Sequence, residues 1–288
     1  MRSRKRSDIQ FSILGYPDES GVKNVGGRLG AKEGPEKFKT YFLKLRGKWP
    51  LQERMLSFSA PEVSSDLENN YRNAVQSGMT ALKDLGPAGI LVGVGGGHDN
   101  AYPWIKAIQN ALPIKTRLGC INLDAHFDLR EYQTLMTSGS PFRRLIDEGI
   151  LKGSNLVEFG IQSHCNGPEL WEYAQKNKVK IVNFETLRNG KAVTRFNREL
   201  KLLRARCDVV LISLDLDALS FAFCPGVSAP QAEGFTGSEV FQMLEMAGAD
   251  KKVTSLGIFE LAPALDFNDH TARLAAQSAW HFLDAKLR

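Results

Sequence analysis

Cysteine is scarce in this sequence and never arranged as a pair. The four thiols, Cys120, Cys165, Cys207 and Cys224, lie far apart and form no C-x-x-C unit, which argues against a zinc knuckle or a disulfide framework and fits a reducing cytoplasm. Long apolar runs are missing too, so nothing reads as a membrane span or secretion signal. The opening MRSRKRSD is basic but leads into no apolar stretch and reads as a tail over residues 1–8. No Pro/Ser linker, charge block or repeat divides the chain, and its 288 residues read as one catalytic domain over 1–288. There is also no segregation of charge. The net +5 is spread over basic residues interleaved with acids, which favours acidic small molecules over nucleic acid or a membrane surface as partners.

What is present is enough apolar residue, 43% of the chain, to bury a substantial core. Six short runs are nearly continuous in hydrophobicity: AGILVGV (88–94), LGCINL (118–123), LVEFGI (156–161), KIVNF (180–184), VVLISL (209–214) and SLGIFEL (255–261). Continuous rather than alternating apolarity marks strands buried on both faces, as in a parallel sheet. Segments of helical period separate them, among them YRNAVQSGMTALKDL, ELWEYAQKN, TRFNRELKLLRA, SEVFQMLEMA and TARLAAQSAWHFLDAKL. Strand and helix in alternation predict an α/β fold, doubly wound or barrel-like.

The chemistry collects where those runs end. His98, Asp124 and Asp215 each arrive as an apolar run stops, and ligands of open parallel sheets bind beyond the carboxyl ends of the strands. Asp124, His126 and Asp128 are spaced by two, as are Asp215 and Asp217, so an extended backbone would aim each set to one side. A lone D-x-H is ordinarily a turn and a lone D-x-D ordinarily solvated; their convergence on one rim reads as a site. Four carboxylates crowded together repel one another and shift in pKa unless cations intervene, and two divalent ions balance them. Oxygen-rich ligation with two imidazoles and no thiolate favours two Mn2+ ions, leaving iron, cobalt and nickel open.

Two glycine-rich stretches are read against nucleotide motifs. GVKNVGGRLGAKEGPEK (21–37) lacks G-x-x-x-x-G-K-[ST] and is too polar to follow a buried strand directly, so it reads as a shaped substrate loop. Gly95, Gly96 and Gly97 precede His98, where a dinucleotide fingerprint would need glycine; they read as a close backbone passage that delivers the imidazole. Asp99 then reads as a cap of the following helix.

At this point a resemblance becomes specific. V-G-G-G-H-D (94–99), N-L-D-A-H-F-D (122–128), S-L-D-L-D (213–217) and F-E-L-A-P (259–263) resemble the signatures of the ureohydrolase superfamily of arginases, agmatinases and formimidoylglutamases. G-G-R-L-G-A-K-E-G-P, S-G-S-P-F (138–142) and T-A-R-L-A-A (271–276) extend it over nearly the whole chain. The resemblance implies a three-layer α/β/α fold with a central, mostly parallel sheet, homo-oligomers, and two manganese ions bridged by a hydroxide. Its metal ligands carry over onto His98, Asp124, His126, Asp128, Asp215 and Asp217, and its substrate-nitrogen carboxylate onto Glu260.

Departures within the superfamily point to a branch. Phe142 stands where arginase-like members usually place a histidine shuttle, and I-Q-S-H-C-N after Gly160 lacks the acids that grip an α-ammonium group. F-D-L-R with S-G-x-P-F resembles the formimidoylglutamase branch, so Arg130 is a candidate for a substrate carboxylate. Ser138, Gly139 and Asn166 are further candidate contacts, and Ala262 replaces the usual asparagine after the family glutamate. The expected reaction is hydrolysis of N-formimidoyl-L-glutamate to glutamate and formamide, with Asp128 relaying a proton to the leaving amine and Glu260 holding the amidinium. A urea-releasing hydrolase of arginine, agmatine or a guanidino acid is the nearest rival, and a non-catalytic metabolite or partner binder the rival of another class. His164 is read as structural filling before a substrate contact, and His281 as packing or surface.

Overall fold

The computed structural model describes residues 9–48, 50–132 and 135–288, so the basic segment 1–8 lies outside the described residues. Eight strands form one sheet: β1 (Phe11–Tyr16), β2 (Met55–Ser59), β3 (Ile90–Gly95), β4 (Leu118–Leu123), β5 (Leu156–Ile161), β6 (Lys180–Asn183), β7 (Val209–Asp215) and β8 (Val253–Phe259). Their order is β2-β1-β3-β8-β7-β4-β5-β6, and every neighbouring pair is parallel. All strands therefore finish on one edge.

Helices cover both faces, which is why the strands read as unbroken apolar runs. Ile121, Leu123, Ile212, Leu214, Leu256 and Ile258 pack against α2 (Gly34–Phe42), α7 (Ala192–Arg206), α8 (Gly237–Ala249) and α9 (His270–Leu287). Leu118, Cys120, Leu156 and Leu211 face the other way, against α3 (Leu67–Leu85), α4 (Ala101–Ala111), α5 (Pro141–Asp147) and α6 (Pro168–Lys176). The result is the three-layer α/β/α fold that the resemblance implied, with a sheet that is parallel throughout where a mostly parallel one was expected. No helix among the described residues is long and apolar enough to cross a membrane.

Two strands exceed the six apolar runs. β1, FSILGY, is wholly buried, but Ser12 and Gly15 break its apolar signal. β2 is an edge strand, half-exposed and rich in serine, and carries no such signal. β1 ends at Tyr16, with residues 17–20 between it and the stretch 21–37. Much of it is helical: α1 (Ser20–Asn24) opens it and α2 closes it, leaving a short loop around residues 25–30.

α8 passes close to α9 at Gly248, where a Cβ would stand 2.2 Å from the backbone oxygen of Phe282. Backbone cannot yield as a side-chain tip can. Gly248→Ala is expected to cost about 1–3 kcal/mol through overpacking, read as a lower urea midpoint; an unchanged midpoint would show that the helices can part.

Candidate metal centre

Four adjacent strands, β3, β8, β7 and β4, deliver the site at their carboxyl ends. His98 begins a single 3-10 turn after β3, Glu260 follows β8, Asp215 ends β7 and Asp124 follows β4. A Cβ on Gly96 would stand 2.0 Å from the carbonyl oxygen of Asp18, so a side chain there would block the passage of backbone before His98.

The imidazole of His98 organises the cluster. Its Nδ1 lies 3.1 Å from Asp124 Oδ2, 2.8 Å from Asp128 Oδ2 and 2.9 Å from Asp215 Oδ2. One nitrogen carries at most one proton and cannot satisfy three carboxylates. Its Nε2 lies 2.8 Å from Ser213 Oγ, which can accept an Nε2–H; in that tautomer Nδ1 keeps its lone pair for a cation. His126 stands on the other side of Asp124, with Nδ1 3.6 Å from Asp124 Oδ1 and 3.1 Å from Asp217 Oδ2. Two groups of metal-competent atoms result, His98 with Asp124, Asp128 and Asp215, and His126 with Asp124 and Asp217. Asp124 belongs to both, one oxygen toward each.

The spacing of two acts through turns and not through a strand pleat. Asp124 Oδ1 accepts the backbone N–H of His126 at 2.7 Å, and Asp215 Oδ1 accepts that of Asp217 at 2.8 Å. In both pairs the first aspartate closes its own turn and turns its other oxygen to His98. Asp128 then adopts a left-handed backbone, φ 50°, and its carbonyl accepts N–H groups of Phe142 and Arg143 at the start of α5. Glu260 is also left-handed, φ 67°; its N–H donates to the Gly96 carbonyl while its Oε1 accepts the N–H of His98 at 2.8 Å. Such conformations cost about 1–3 kcal/mol each in a non-glycine residue and persist where surroundings over-determine them.

A row of polar side chains lies beneath the ligands. Ser213, Asn122 and Glu158 sit side by side in register on β7, β4 and β5, facing the α3–α6 layer. Asn122 Nδ2 donates to Asp124 Oδ2 at 3.1 Å and to Glu158 Oε2 at 3.0 Å. Reading for ligands missed these three. The available signal was a polar residue inside each buried apolar run, and a buried polar group is the informative exception.

The electrostatics match a cluster short of positive charge. Burial alone would lower the pKa of His98, but facing Asp128 and Asp215 hold it well above its ordinary value. Burial and the neighbouring Asp217 and Asp124 push Asp215 well up; burial and Asp215 do the same to Glu260. Burial pushes Asp217 up to about 6 although His126 opposes it. Among the four aspartates Asp124 alone is lowered, because the facing imidazoles of His126 and His98 outweigh its burial. His98 Nδ1, Asp128 Oδ2, Asp217 Oδ1 and Glu260 Oε2 are buried without a hydrogen-bond partner. Unpaired buried charges cost several kcal/mol each, and hard cations accept this donor set of oxygen and imidazole. The residues present therefore fit two divalent ions.

The cluster opens into a cavity of about 340 Å³ lined by His98, His126, Asp128, Asp215, Asp217 and Glu260, with Arg28, Arg130, Ser138 and Gly139 among its other walls. A larger cavity of about 930 Å³ beside Ile90 and Val253 holds none of the metal-competent residues, so chemistry and not size selects the site.

Several readings change. Asp99 caps no helix; it is buried and accepts the Tyr71 hydroxyl at 2.8 Å. Asn166 does not line the cavity. Its amide accepts from Phe127 N–H and donates to the carbonyls of Ala125 and Gln162, holding the ligand loop. His164 is exposed and outside the cavity, so it fills nothing. Phe142 is buried edge-on to the His98 ring at 5.8 Å, and His281 stacks on Phe241.

Against known proteins, a model of the arginase family matches residues 9–284. A formimidoylglutamase from Staphylococcus aureus (strain JH9) is 32% identical over 271 residues, 94% of this chain and 85% of that protein. A Trypanosoma cruzi formiminoglutamase solved with Mn2+ superposes with a TM-score of 0.86 at 26% identity, over 99% of this chain and 96% of that one. A Bacillus subtilis formimidoylglutamase gives 0.87 at 26% identity, over 99% and 92%.

Metal analysis after Mn2+ loading is expected to find two ions per chain, and almost none in folded Asp124→Ala, because that carboxylate belongs to both groups. Since several donors hold protons at raised pKa, Mn2+ must displace them. Calorimetry in buffers of different ionisation enthalpy is expected to show proton release at pH 7, with affinity falling as pH drops through about 6, where Asp217 takes up its proton. Affinity independent of pH between ~5 and ~8 would contradict this account.

Proposed function

The chain belongs to the arginase family, and we propose that its two-ion centre hydrolyses the amidine C–N bond of N-formimidoyl-L-glutamate, giving L-glutamate and formamide. The observation that carries this reading is the pair of donor groups sharing Asp124 at the floor of a cavity edged by Glu260 and Arg130. The formimidoylglutamases among its relatives supply the substrate class.

Two Mn2+ ions held by His98, Asp124, His126, Asp128, Asp215 and Asp217 would supply Lewis acidity that lowers the pKa of water from 15.7 toward ~7. The chain's own groups do the rest. Glu260 keeps Oε1 on the His98 N–H and turns Oε2, otherwise unpartnered, to an N–H of the amidinium. That contact orients the amidine carbon and offsets its charge. Asp128, whose Oδ2 accepts no hydrogen bond and lies 2.8 Å from His98 Nδ1, takes the proton of the attacking water and passes it to the leaving nitrogen. Phe142, packed against His98, offers no proton relay at its position, which leaves that task to Asp128. Arg130 takes a substrate carboxylate, with Ser138 and Gly139 shaping the wall beside it. A guanidino substrate without a carboxylate, such as agmatine, would leave Arg130 unanswered.

We assign the reaction to a cytoplasmic homo-oligomer built from one catalytic domain per chain. The free thiols among the described residues agree with a reducing compartment.

The test is product analysis with Mn2+-loaded protein offered formimidoylglutamate, arginine, agmatine and guanidinobutyrate. Formamide from the first and no urea from the others is expected. Urea without formamide would sink the substrate, and no turnover with both ions bound would favour a binding protein. Glu260→Gln keeps the shape and removes the charge; its kcat/KM should fall about 100-fold while metal content holds.

A further inference from the structure

Two arginines, Arg28 and Arg130, line the same cavity as the metal-competent residues, and neither has a carboxylate partner among the described residues. Elsewhere on the molecule arginines hold acids: Arg117 pairs with Asp208, Arg144 with Glu68 and Glu148, and Arg188 with Glu233. Arg130 runs its stem across Gly139, where a Cβ would stand 2.8 Å from Arg130 Cδ, and its backbone N–H donates to the Gly139 carbonyl. Arg28 is the second, and nothing in the ligand pattern pointed to it.

Arg28 is anchored by neutral groups. Its Nε donates to the Ser228 carbonyl at 2.9 Å and its Nη2 to the Val227 carbonyl at 2.7 Å. Those bonds fix the plane of the guanidinium, use two of its five N–H donors and leave its full charge uncompensated. The loop that carries it is tied to the Arg130 wall, because Asn24 Nδ2 donates to the Met136 carbonyl at 2.8 Å, just before Ser138 and Gly139. The two cations thus line one cavity on a connected frame, an arrangement that lowers the ordering cost of binding an anion.

The charges of the cavity suggest which anion. Once cations balance the four aspartates, the remaining charged groups are Glu260, Arg28 and Arg130. One negative and two positive groups mirror an amidinium that bears two carboxylates. We propose that Arg28 and Arg130 form a two-guanidinium clamp for a dicarboxylate amidine, with Arg28 taking the second carboxylate and excluding monocarboxylate analogues. The clamp rests on the reading of this cavity as the formimidoylglutamate site.

Calorimetry on Mn2+-loaded protein with glutarate, which has two carboxylates, and butyrate, which has one, isolates the clamp from the chemistry. The native protein should bind glutarate roughly 10- to 100-fold more tightly, the worth of one charge-assisted bidentate contact. Arg28→Met should bring the two ligands within about threefold while leaving butyrate affinity and metal content unchanged, and Arg28→Lys should fall between. With formimidoylglutamate, Arg28→Met should raise KM by a similar factor and leave kcat within about twofold. Equal or undetectable binding of both ligands by the native protein, a preference that survives Arg28→Met, or equal weakening of both ligands would each overturn the clamp; the last would mark Arg28 as only a loop tether. A glutarate preference lost in Arg28→Met, in a native protein that releases no formamide, would keep the clamp and overturn the reaction. Formamide release with the preference unaltered in the variant would do the reverse.

Discussion

One nitrogen facing three carboxylate oxygens is the constraint on which this structure turns. His98 Nδ1 cannot be satisfied by protein groups alone, and neither can the aspartates around it. Everything nearby serves to hold that unsatisfied geometry in place. Ser213 holds the far side of the ring, Phe142 and Phe259 pack on it, and Glu260 holds the backbone from which it projects. The parallel sheet makes the arrangement affordable, since eight strands buried on both faces supply a rigid edge from which four neighbours can present charged groups together.

The ligand loops are closed by protein hydrogen bonds, before any ion is considered. Asp124 and Asp215 bond amides two residues on, Asn166 ties residues 125 and 127 together, and the Asp128 carbonyl meets the start of α5. A cation therefore meets a preformed set of donors, and its binding energy does not go into folding the loops. The cost appears as the left-handed backbones of Asp128 and Glu260 and as the raised pKa values of the buried acids.

How far the sequence revealed this depended on whether each role is local. Central strands were legible because burial on both faces leaves a continuous apolar run; β2 was not, because an edge strand need be apolar on neither face. The metal-competent residues were legible because only certain side chains serve and they fall at strand ends. Their spacing of two was legible while its cause was not: turns closed by Asp124 and Asp215 produce the convergence that a pleat seemed to explain. Asn122, Ser213 and Glu158 passed as minor interruptions of apolar runs, since their register with one another exists only after the sheet forms. Asn166 and His164 share one short segment, yet one is buried under the ligand loop and the other exposed, a difference set by partners distant in sequence. Arg28 was hidden for the same reason, because the carbonyls that orient it lie 199 and 200 residues away.

Glu260 has two oxygens with separate audiences. One accepts the amide N–H of His98 on the neighbouring strand end; the other is buried without a hydrogen-bond partner in a residue that lines the cavity. A molecule that drew on the second oxygen would redistribute charge on the first, and the amide it steadies belongs to the residue whose ring lies in one of the two donor groups. A ligand in the cavity and an ion among the donors would thus be felt by a single carboxylate, with no moving part between them.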